Sequence, residues 1–109
     1  MKTKHIAYTF LAFFTWLASS SALADNKVVG QKNKAFTVDE LTIKKGDSVD
    51  FLNEDPFFHN VFSLSDAKLF DLGSFPQGES RTVVFEEAGD VEVECAIHPD
   101  MLMTIHVTE

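Results

Sequence analysis

A thiol, an imidazole and a thioether recur at three-residue intervals in Cys95-Ala96-Ile97-His98-Pro99-Asp100-Met101. Pro99 cannot continue a helix and disfavours helical backbone at His98. The segment is therefore expected to double back as a tight loop that aims all three side chains at one point. These are soft or borderline donors, and together they suit copper better than calcium, magnesium or manganese. Three donors from one loop leave a site open on one side. His59, 36 residues upstream between Phe58 and Asn60, is the natural fourth, placed where a strand leaves the Pro56 turn. Two histidines and a thiolate in a plane, with a long, weak methionine contact, make an arrangement suited to one-electron copper chemistry. Ligands drawn from a strand end and a distant loop are held by the whole fold, which keeps the site's shape nearly constant between Cu(I) and Cu(II).

Other chemistries for these residues are weaker. Cys95 as a nucleophile with a histidine base needs an oxyanion site and a cleft, for which a short chain offers little room. Structural zinc would use the cysteine and histidines but leave the methionine superfluous. A copper-trafficking or copper-storage protein would use similar soft donors, with open coordination and easy release. A buried cysteine is often only a small hydrophobe, but an unpaired thiol in an oxidising compartment is a liability. His106 alternates with Ile105 and Val107 and is expected to face water. Phe57, Phe58, Phe62 and Phe75 read as core, with Phe57 placed to form an apolar patch beside His59.

The elements that must position these donors read as short strands separated by turns. Val28-Val29, Phe36 to Ile43, Val49 with Phe51, and Phe58 to Phe62 come first, with Lys44-Lys45-Gly46-Asp47 and Asn53-Glu54-Asp55-Pro56 as turns. Gly46 supplies the positive φ that closes the first of these turns. Ser63 to Gly78, with two glycines and a proline, reads as a long loop packed onto the core, with room for one helical turn. Thr82 to Phe85 and Val91 to Cys95 are strands, the latter in strict alternation that turns Val91, Val93 and Cys95 inward and Glu92 and Glu94 outward. Leu102 to Thr108 closes the chain. About seven short strands and no helix predict an all-β fold, a small Greek-key β-sandwich in one domain.

The N-terminus suggests a compartment. Lys2 and Lys4 precede an apolar run from Ile6 to Leu17, then three serines and Ala22-Leu23-Ala24, the order of a secretory signal peptide cleaved after Ala24. The apolar run is short of the about 20 residues that span a bilayer, so no membrane anchor is expected after cleavage. The domain would then be residues 25–109, in the periplasm. With one cysteine it can form no internal disulfide, and a bound metal becomes the next source of added stability for so small a core. Seven basic residues against seventeen acidic ones follow Ala24, a net charge of −10 with histidines neutral. Such a surface repels nucleic acid and attracts a basic partner protein.

The chain resembles the cupredoxins, small copper sandwich proteins such as plastocyanin and pseudoazurin, and its short ligand loop is most similar to the amicyanin-like members. The resemblance rests on Ile43 to Asp47, Val49 to Asn53, His59-Asn60-Val61, Gly78-Glu79-Ser80, and Gly89 leading into Cys95-x-x-His98-x-x-Met101. It implies copper held by His59, Cys95 and His98, with Met101 as the axial ligand, and an Asn60 that ties the first ligand's strand to the cysteine loop. In these proteins the axial methionine precedes the two inward residues of the closing strand by four and six positions. Counting back from Ile105 and Val107 reaches Met101 and not Met103. Val93 stands where many relatives carry an aromatic residue, and Met103 where many carry glycine. The resemblance also implies a monomer that passes single electrons to a redox partner, such as a basic cytochrome c or oxidoreductase, and is not an enzyme.

Overall fold

A computed structural model describes residues 24–109, and the proposed signal segment lies almost wholly outside them. Nine strands make two sheets, with no helix among the described residues. They are β1 (Asn26–Lys32), β2 (Ala35–Phe36), β3 (Glu40–Lys44), β4 (Ser48–Asn53), β5 (His59–Ser65), β6 (Lys68–Phe75), β7 (Ser80–Val84), β8 (Gly89–Cys95) and β9 (His98–Thr108). One sheet has the order β2-β1-β4-β7 and the other β3-β9-β8-β5-β6. The chain crosses between sheets after β2, β3, β4, β6 and β7. β1 lies parallel to β4, and β3 parallel to β9.

The core follows from period-two patterning. Val49, Phe51 and Asn53 point inward from β4, and Val91, Val93 and Cys95 from β8. Phe75, Phe85, Val61 and Ile105 fill the space between the sheets with no exposed surface. The Lys44–Ser48 turn closes as its sequence suggested. Gly46 takes φ 95°, in the left-handed region where a side chain is strained. The buried Asp47 carboxylate then accepts the Lys44 and Asp25 amides, each at 2.9 Å.

Ser63 to Gly78 is not the long loop its glycines and proline suggested. Half of it is β6, an edge strand in a hairpin with β5 that pairs Leu64 with Leu69 and Phe62 with Asp71. Phe70 and Leu72 turn toward the core, while Leu64 and Leu69 stand outside at 72% and 71% exposure. Apolar residues on both faces concealed the alternation. The first strand is also longer than its two valines implied, because pairing with β4 extends it over Asn26–Lys32. Phe36 to Ile43 divides into two strands, one in each sheet.

Candidate metal centre

β8 and β5 deliver the two buried donors. Cys95 ends β8 on its inward face, 2% exposed, and His59 opens β5 with no exposed surface. Val61 pairs with Cys95, so the two strand ends lie side by side. The backbone carbonyl of Asn60 accepts the Ala96 amide at 3.2 Å. That bond ties the histidine strand to the cysteine turn, and it is made by the main chain of Asn60 and not by its side chain.

The expected loop after Cys95 is tighter than a free loop. Only Ala96 and Ile97 lie between β8 and β9, and Cys95 pairs directly with His98. Further along the hairpin Glu94 pairs with Leu102 and Val93 with Met103. Pro99, Asp100 and Met101 are the extra residues that this change of register loops out. Continued by one step, the inner register would set Met101 opposite Cys95. His98 takes that place instead, and Met101, looped out beside it, is buried at 1% exposure.

The donor atoms converge. His59 Nδ1 lies 3.6 Å and His98 Nδ1 3.7 Å from Cys95 Sγ, and the three ligand atoms all fall within 4.8 Å of one another. Bonds of about 2.0 Å to nitrogen and 2.3 Å to sulfur, set at 120°, separate nitrogen from sulfur by about 3.7 Å. The spacing therefore fits one metal ion in a trigonal plane, and a thiolate with two imidazoles is the donor set that suits copper. Imidazole nitrogens facing a metal must be unprotonated. The histidine rings sit 5.1 Å apart between centroids, with Phe57 against both at 5.2 and 5.4 Å. Lys34 Nζ lies 5.9 Å from the centre of the Phe57 ring. His98 is half-buried; Ile97, next to it in the chain, and Phe58, next to His59, are 56% and 55% exposed. Phe58 is thus surface and not core, because consecutive strand residues face opposite ways and His59 takes the inward position.

One residue of the site escaped the sequence reading. Asp55, placed there in a strand-breaking turn, is buried at 4% exposure, and its Oδ2 lies 2.7 Å from His59 Nε2. Its carboxylate also accepts the Asn33 amide at 2.7 Å and the Lys34 amide at 3.1 Å. Burial pushes the carboxyl's pKa up, but the bonds from His59, Lys34 and Asn33 outweigh it and hold the group below the ordinary aspartate value. The only hint in the sequence was an acid four residues before a ligand histidine. His106 lies outside the site, between Asp90 and Glu40 on the sheet's outer face.

The profile of copper-binding proteins of the plastocyanin/azurin family matches residues 24–108. Amicyanin of Paracoccus versutus is 28% identical over 88 residues, covering 78% of this chain and 67% of that protein. An amicyanin variant in its reduced Cu(I) form at pH 4 superposes with TM-score 0.70 at 25% identity, over 75% of this chain and 81% of its own. A copper-containing nitrite reductase from Thermus scotoductus superposes with TM-score 0.72 at 26% identity, and the chain spans only 22% of that enzyme's length. With this match across all but one of the described residues, and with His59, Cys95 and His98 gathered for one type 1 copper, the chain belongs to the plastocyanin/azurin family of copper-binding proteins.

Proposed function

We propose that this protein is an exported type 1 copper protein that carries single electrons between redox partners in the periplasm. The observation that carries this reading is the convergence of His59 Nδ1, Cys95 Sγ and His98 Nδ1 on one point from three strand ends. When bound, copper supplies the Cu(I)/Cu(II) couple. The chain's own residues supply the rest. His59 and Cys95, held by β5 and β8, keep their positions when the charge at the site changes. His98, half-buried and next in the chain to exposed Ile97, brings one ligand to the surface, where a partner can approach.

Met101 is the axial donor in this reading, supported by its place in the stretch looped out between the Cys95–His98 and Glu94–Leu102 pairs and by the count back from Ile105 and Val107. A copper-trafficking or storage role needs ligands that a recipient can reach. Exposures of 0% for His59, 2% for Cys95 and 1% for Met101 favour retention of the metal over hand-off. The electron-carrier role of relatives such as amicyanin supports a carrier over an enzyme. Export is supported by the order of basic, apolar and small residues before Asp25.

One preparation tests the reading. Protein isolated from the periplasmic fraction and loaded with copper should start at Asp25 by intact mass, hold one copper per chain and show an intense thiolate-to-copper absorption when oxidised. Cys95→Ser should lose that band completely. A colourless loaded wild type, or a coloured Cys95→Ser variant, refutes the assignment. Recovery of residues 1–24 in a membrane-bound chain refutes export.

A further inference from the structure

We propose that Asp55 is a positioning residue that fixes the orientation and tautomer of the copper ligand His59, and that the Asn33–Lys34 turn holds it in place to do so. This rests on the copper reading above and extends it to residues outside the ligand set. A neutral imidazole carries one proton, so one ring nitrogen donates and the other accepts. An ionised carboxylate only accepts. With Asp55 Oδ2 2.7 Å from Nε2, the proton belongs on Nε2, and the Nδ1 lone pair is left facing Cys95 Sγ 3.6 Å away. A ring turned over about its long axis would lose this bond and present a carbon to the site. A hydrogen bond of this kind also raises the basicity of the ligating nitrogen.

Asp55 is itself fixed from two directions. Its backbone amide donates to Asn53 Oδ1 at 2.8 Å, and Asn53, with no exposed surface, donates to the Phe57 and Phe75 carbonyls at 2.8 and 2.9 Å. Its side chain receives the Asn33 and Lys34 amides from the β1–β2 turn. Both turn residues adopt left-handed backbone, with φ 55° and 59°. That conformation is costly for a lysine, and two amides converging on one buried carboxylate compensate for it. The turn and the copper ligand thus share one acceptor, and the hairpin that carries Asn33 becomes part of the redox site. The negative charge beside His59 favours the more positive oxidised state of the site.

The metal-free wild type, labelled with nitrogen-15 in histidine, provides the first measurement. A proton on His59 Nε2 is expected, and a proton on Nδ1 overturns the proposal whatever any variant does. Asp55→Asn preserves shape and removes the charge. It should weaken Cu(II) binding by about 10–100-fold with a smaller loss for Cu(I), and so raise the reduction potential. A tenfold fall in the ratio of the two affinities reads as about +59 mV for a one-electron couple. Protection of the Asn33 and Lys34 amides against hydrogen exchange should fall in the same variant. If Asp55→Asn stays blue with unchanged potential and unchanged tautomer, Asp55 only packs, and the copper reading survives without it. If the wild type never turns blue, the copper reading fails, while the tautomer measurement still decides where Asp55 holds the proton.

Discussion

Met101 and Met103 are equally buried, at 1% exposure each, so burial does not distinguish them as copper donors. Pairing does. Met103 is held in the regular ladder across from Val93, whereas Met101 lies in the stretch looped out between the Glu94–Leu102 and Cys95–His98 pairs, next to the ligand end of the hairpin. Met101→Leu should therefore shift the reduction potential and the EPR spectrum of the oxidised protein, since the axial donor tunes such a site. Met103→Leu conserves core volume closely. It should cost under about 1.5 kcal/mol in urea unfolding and leave the spectrum nearly unchanged. The opposite pattern would make Met103 the ligand.

Among the elements, β3, β8 and β9 are pinned by one side chain on their outer face. His106 of β9 has Nδ1 2.7 Å from Asp90 of β8 and Nε2 3.3 Å from Glu40 of β3. The bond to Asp90, then that to Glu40, raises its pKa above the ordinary 6.5. A base whose pKa rises on folding stabilises the fold while it is protonated. This contribution is complete below pH 6.5 and disappears as pH climbs through the higher folded value. Urea unfolding of the metal-free protein should show that loss, and His106→Gln should flatten it. Asp47 acts in a separate window. Its pKa is lowered by the Lys44 and Asp25 amides, so its contribution is present above the ordinary 3.8 and lost as acid takes pH through the lower folded value. A variant with an unchanged slope above neutrality would show that the His106 pairing contributes nothing, as exposed pairs often do.

At the scale of the whole molecule, charge and apolar surface bear on docking differently. The net charge after Ala24 is −10, while exposed Ile97 and Phe58 stand next in the chain to His98 and His59. Long-range attraction to a basic cytochrome c or oxidoreductase would speed encounter, and these apolar side chains would then set the final contact. Electron-transfer rates with a basic partner, measured by stopped flow, should accordingly fall steeply as ionic strength rises toward physiological, where the Debye length is about 8 Å. A rate that is flat with salt would assign docking to the apolar surface alone.

Much of the site was legible because its information is local. Cys95, His98 and Met101 lie within seven residues, their chemistry follows from residue type, and strict alternation in β8 already turned the thiol inward. The closing strand and the Gly46 turn were legible for the same reason, as period-two patterning and a backbone conformation suited to glycine. Elements defined by their partners were not. β6 has an outward leucine, Leu69, and a scattering of polar residues, so only pairing with β5 makes it a strand. Asp55 looked like a turn acid beside a proline. Its role depends on amides 21 and 22 residues away, brought to it by a left-handed turn in another hairpin. Burial then makes that carboxylate significant, because an acceptor removed from water binds whichever donors the fold places against it. The sequence by itself determined which atoms could bind copper. Only the tertiary structure decided which groups stand against those atoms, because Asp55 meets His59 and the Asn33 and Lys34 amides only where the fold brings them together.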